Sequence, residues 1–103
     1  MFYVNVVQTP HGVMAFIADE ELVGRAFVDQ EEQRILIVSE SLYAKDLVEE
    51  EDVRKIMERA DVLVLTGERT ISIALELGFA HPDSILRVKG VPHVHVYKLS
   101  GPF

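Results

Sequence analysis

Over residues 2–8 the apolar positions fall two apart, with Phe2, Val4 and Val6 on one face of a strand. Thr9-Pro10-His11-Gly12 reads as a turn, and residues 13–18 return as the second strand of a hairpin. Asp19 caps a one-turn helix over 20–23, which Gly24 ends. Residues 25–28 and 34–39 are two further strands around a polar turn, and 40–48 is irregular. A 3.6-residue period follows at 49–60, where Val53, Ile56, Met57 and Ala60 share a face. Glu49, Glu50, Glu51 and Asp52 crowd its first turn, where the helix dipole favours negative charge.

The second half is organised around residues 61–96. Residues 62–65 (Val-Leu-Val-Leu) are apolar without alternation, which suits a strand buried on both faces. Thr66-Gly67 stops it, and from Glu68 the period is helical, ended by Gly78 and blocked by Pro82. Residues 85–88 are the next strand, Gly90-Val91-Pro92 a loop, and His93 and His95 lie on a last strand. A strand–helix–strand unit of this size predicts a parallel crossover, with 62–65 directly beside 85–88. The expected fold is α/β, bordering on α+β. It has two layers, a mixed sheet of about six or seven strands with two main helices and one βαβ unit in the C-terminal half.

With 103 residues the chain is one domain, residues 1–103. At 49% hydrophobic and 26% charged it is a folded globular protein. No apolar run approaches the roughly 20 residues of a membrane helix, so no membrane partner is expected. The start lacks a basic, then apolar, leader, which predicts the cytoplasm. The absence of cysteine excludes disulfides, thiolate metal sites and cysteine nucleophiles. The net charge of −7 opposes nucleic-acid binding overall, but it resides entirely in residues 1–60, with 13 acids and 6 bases. Residues 61–103 hold four of each, and no acid follows Asp83.

That C-terminal balance points to an anion site. Thr66-Gly67 leads into a helix whose first N–H groups are free and partly positive, with Glu68 and Arg69 in the first turn. Gly67 has no side chain to hold an anion away, and Arg69 opposes the dipole, so a nearby anion would explain it. Lys89, Gly90, Pro92 and His93 would approach from the neighbouring loop. The ligand is then RNA or a phosphorylated or carboxylated molecule, bound without catalysis and without a cofactor. Two other functions stay open. His93 and His95 share a strand face and could hold a metal in an enzyme, although no third ligand is fixed by spacing. The chain could also be a structural homodimer, paired through edges at 2–8 or 34–39 unless Ser100-Gly-Pro-Phe103 covers them.

Ser39-Glu-Ser-Leu-Tyr43, Thr66-Gly-Glu-Arg69, Ala74-Leu-Glu-Leu-Gly78 and Gly90-Val-Pro-His93, in this order, resemble an archaeal family, domain-of-unknown-function family 424. The resemblance extends to the Phe-Tyr-Val opening and Leu22-Val-Gly24. It implies a small α/β protein of archaeal cytoplasm with no assigned activity. Ala44-Lys45 stands where the family pattern has a glycine pair, and His95 where it has glutamine.

Overall fold

A computed structural model describes residues 1–98. Its strands are β1 (Phe2–Thr9), β2 (Gly12–Asp19), β3 (Ala26–Asp29), β4 (Arg34–Ile37), β5 (Asp46–Val48), β6 (Val62–Thr66), β7 (Leu86–Val88) and β8 (Val91–Tyr97). The helices are α1 (Glu40–Tyr43), α2 (Glu50–Arg59) and α3 (Glu68–Glu76). Short 3-10 turns cover Glu20–Leu22 and Pro82–Ser84. Six strands form one mixed sheet in the order β5-β1-β2-β6-β8-β7, and β3 and β4 form a separate two-stranded ribbon. The α/β class, the mixed sheet and the two main helices agree with the sequence. The segment 40–48 is more regular than expected: α1 and β5 occupy it, and β5 pairs with Phe2, Tyr3 and Val4 at the edge of the sheet.

The predicted neighbours are not neighbours. β6 and β7 point the same way, but β8 lies between them, antiparallel to both. Lys89 and Gly90, at φ 52° and 81°, make a two-residue hairpin turn that returns the chain at once. The seven-residue β8 then takes the interior position, and the three-residue β7, with Leu86 and Arg87 exposed, takes the edge. The strand parallel to β6 is β2, with Ala15 beside Leu63 and Ile17 beside Leu65.

Alternation along these strands serves two faces. Phe2, Val4, Ala15, Ile17, Leu63, Leu65 and Val94 face the helices and meet Val53, Met57, Ile71 and Ala74. The opposite face presents Ala18, Val64 and Val88, covered in part by Leu36, Val38 and Tyr43 from the ribbon and α1. The ribbon ends in a β-bulge, with Gly24 and Arg25 opposite Val38. Gly24, at φ 90°, donates to the Val38 carbonyl, and the Val38 N–H donates to Arg25.

α3 is locked by a residue from β2. Asp19, 4% exposed, accepts hydrogen bonds from the backbone N–H of Arg69 (3.1 Å) and of Thr70 (2.8 Å), and from the Thr70 hydroxyl (2.7 Å). The carboxylate thus satisfies helix-start donors and meets the positive end of the dipole. Gly67 makes the approach feasible: at φ 110°, a Cβ there would lie within 2.6 Å of both Asp19 oxygens. Asp19→Ala is expected to cost about 2–3 kcal/mol by urea unfolding, from the lost cap and the buried donors left unpaired. Asp19→Asn should cost less, because an acceptor oxygen remains. Gly67→Ala should cost at least as much as Asp19→Ala, because it combines a strained φ with a buried clash.

Candidate functional site

The C-terminal ends of the like-directed strands β2, β6 and β7 lie at one end of the sheet, with β8 between the last two. Asp19 ends β2, Thr66 ends β6, Val88 ends β7, and a hollow of about 300 Å³ there is lined by Asp19, Glu21, Leu22, Glu68, Arg69, Gly90, Val91 and Pro92. Its charges are already matched within the chain. Asp19 takes the helix amides, and Arg69 pairs with Glu21 at 2.6 Å, lies 3.9 Å from Asp19 and covers the Phe2 ring. Arg87 pairs with Glu68 and donates to the Gly90 carbonyl. Gly67 spends its own N–H on the Pro92 carbonyl. Lys89 is exposed in the turn, and among the described residues it makes no ion pair. Gly90 closes that turn, while Pro92 and His93 lie within β8 rather than in a loop. A wider hollow of about 740 Å³ between α2 and α3 is likewise a surface of ion pairs, with Arg54 bound to Glu50 and Glu76.

The opposite face of the sheet offers different chemistry. Thr66 Oγ1 lies 3.0 Å from the Tyr43 hydroxyl and 2.8 Å from His93 Nδ1. Tyr43 is 2% exposed and Thr66 fully buried, and burial raises the Tyr43 pKa, so the phenol stays protonated. Its one partner among the described residues is Thr66. A buried O–H must donate to be satisfied, so Tyr43 donates to Thr66 and Thr66 donates to His93 Nδ1. His93 is therefore the tautomer that carries its proton on Nε2. Protonating Nδ1 would take away the acceptor of the buried Thr66 hydroxyl. Burial first, and the neighbouring His95 second, also hold the His93 pKa below its ordinary 6.5. The His93 and His95 rings meet edge to face at 5.1 Å, and His95 Nδ1 is 3.3 Å from the Tyr97 hydroxyl.

These histidines sit in an apolar cleft of about 310 Å³. Phe16, Val64, His93 and His95 contribute from the sheet, and Ile35, Leu36, Ile37 and Leu42 from β4 and α1. Ile35 is 67% exposed and Ile37 62%, so the cleft opens onto uncovered apolar surface. Such a combination, mostly apolar walls with a few convergent polar groups, marks ligand sites. His93 and His95 do share a face, but among the described residues no group of three His, Asp or Glu gathers as metal ligands. Of the predicted site residues, Thr66 and His93 thus meet here, across the sheet from the Gly67–Arg69 hollow. Tyr43 and the ribbon's part in the cleft were missed. Their contacts span long sequence distances, and only the Tyr43 aromatic among polar residues signalled an anchor.

The fold and the cleft define a small mixed α/β protein with covered helices on one face and an open, partly apolar second face. Residues 7–99 match the model of the family described as "Protein of unknown function (DUF424)", and the chain belongs to that family. It is similar to the crystal structure of an uncharacterized conserved protein from Methanopyrus kandleri, at 27% identity and a TM-score of 0.74. The match covers 99% of this chain and 96% of that one. No curated protein matches. No helix among the described residues is long and apolar enough to cross a membrane.

The depressed His93 pKa makes stability depend on pH in one direction. Below 6.5 the unfolded chain binds a proton that His93 refuses in the fold, so stability falls as pH drops through 6.5 towards the lower folded value. Urea unfolding from about pH 7.5 to about pH 5 should therefore show a wild-type loss that is shallower in His93→Phe. Parallel profiles for the two proteins would contradict it.

Proposed function

We propose that the protein is a non-catalytic binding module whose ligand enters the cleft along β4. The ligand is mostly apolar and carries a hydrogen-bond acceptor. The observation that supports this most is the Tyr43–Thr66–His93 relay, which leaves a neutral His93 offering an Nε2–H donor among apolar walls. A donor held in a fixed tautomer recognises a carbonyl or carboxylate oxygen without the desolvation cost of a full positive charge. The volume lies at the lower end of small-ligand sites, which run from about 300 Å³ upward.

An anionic partner, RNA or a phosphorylated or carboxylated ligand at Gly67, Arg69 and Lys89, is a second reading. It draws support from the convergence of those loops. It requires an incoming anion to displace Asp19 from the helix amides and Glu21 from Arg69, which leaves Lys89, exposed and without an ion pair among the described residues, as the cation at hand. The metal-enzyme reading has only His93 and His95 as ligands. A homodimer would use the open edge of β4.

The test is an amide NMR titration with hexanoate and, in parallel, hexylamine, which has the same apolar body and no acceptor oxygen. Hexanoate should shift Phe16, Ile37, Val64 and His93, hexylamine should not, and His93→Phe should erase the difference. Shifts centred instead on Gly67, Arg69 and Lys89, and abolished by the double change Arg69→Ala with Lys89→Ala, would move the ligand to the helix start. Equal response to both probes would refute recognition by His93.

A further inference from the structure

Building on the cleft reading above, we propose that the natural ligand is an extended peptide segment that joins β4 as a third strand of the ribbon. Backbone geometry is the first support. Val38 exchanges hydrogen bonds with Gly24 and Arg25, and pairing in an antiparallel ribbon alternates, so Leu36 and Arg34 also turn their N–H and C=O groups towards β3. The N–H and C=O groups of Ile35 and Ile37 therefore face the other way, and among the described residues none of them has a partner. This edge borders the cleft, because Ile35, Leu36 and Ile37 all line it.

The edge also lacks the usual protection. Exposed edges are blunted by lysine, proline, bulges or inward charge, yet the run Arg34-Ile-Leu-Ile-Val38 has none at its centre. By contrast, the Arg34 guanidinium lies 3.5 Å from the Arg87 carbonyl, covering the edge of β7 instead. A strand laid against β4 would turn alternate side chains into the cleft over Phe16, Val64 and His95, and present backbone or terminal oxygens to the His93 donor. Main-chain bonds would supply affinity and the cleft specificity, as in strand addition generally. The exposed acids Glu31 and Glu32 at the ribbon tip, and the net charge of −7, favour an apolar segment flanked by lysine or arginine.

The experiment selects a random-peptide display library against the whole protein and measures the winners on variants. Ile37→Pro removes one outward N–H while leaving the pairing with β3 intact, as proline is tolerated on edges. Ile37→Thr keeps the N–H and a β-branched side chain. Ile35→Pro is the second edge variant should Ile37→Pro prove poorly folded by circular dichroism. Expected are apolar peptides with basic flanks, tenfold or greater loss of affinity in the proline variant against threefold or less in Ile37→Thr, and slowed amide exchange at Ile35 and Ile37 on binding. Peptides that bind proline and threonine variants alike overturn strand addition. No peptide binder, with hexanoate still shifting His93, overturns it while leaving the cleft reading in place. Failure of hexanoate itself removes the parent reading. Dimerisation that is lost in Ile37→Pro, with no peptide bound, assigns the edge to a second copy and overturns the proposal.

Discussion

A single buried carboxylate fixes the relation between the two halves of this molecule. Asp19 ends β2 in the N-terminal half, and Thr70 lies 51 residues later in the first turn of α3. Burying a charge is costly unless it is paired and hydrogen-bonded. Here the helix dipole, two backbone N–H groups and a hydroxyl compensate it together. The parallel pairing of β2 with β6 brings Asp19 to that place, since Ala18 lies beside Thr66 at the last rung. Sheet register, the glycine at 67 and the helix start are thus one arrangement rather than three.

The same arrangement explains why the two faces of the sheet differ in chemistry. On the helix face the convergence of strand ends is spent on internal pairs: Asp19 with the amides, Glu21 with Arg69, Glu68 with Arg87. On the other face Thr66, one residue before Gly67, turns its hydroxyl to Tyr43 and His93. Consecutive residues of a strand end point to opposite sides, so one short segment builds the structural lock and the polar floor of the cleft. The ribbon covers only part of that floor, and the uncovered part is where apolar side chains and an unpaired strand edge stay accessible.

Local patterns foretold much of this fold. The alternation of β1, the apolar run of β6 and the 3.6-residue period of α2 each occupy the predicted place, because each element's burial is written in its own residues. Partner choice was less legible. A helix between two strands predicts their direction but not whether a third strand will slip between them, and Lys89-Gly90 did not announce a two-residue turn because lysine rarely takes a positive φ. The helix start was visible as a place for an anion. That the anion would be Asp19, read as the cap of the short turn after it, depended on which strand lay beside β6. The Tyr43–Thr66–His93 relay joins three distant segments, and no local pattern links residues 23 and 27 positions apart.

His93 thus faces the cleft kept neutral by burial, with its proton fixed on Nε2 by the relay. Long-range proton–nitrogen NMR of the uniformly labelled protein near neutral pH reports the tautomer directly. Expected are a protonated-type nitrogen at Nε2 and an unprotonated, hydrogen-bonded one at Nδ1, with the two nitrogens averaging towards each other in Thr66→Val, where nothing donates to Nδ1. A His93 that is protonated on Nδ1, or already averaged between tautomers in the wild type, would contradict it.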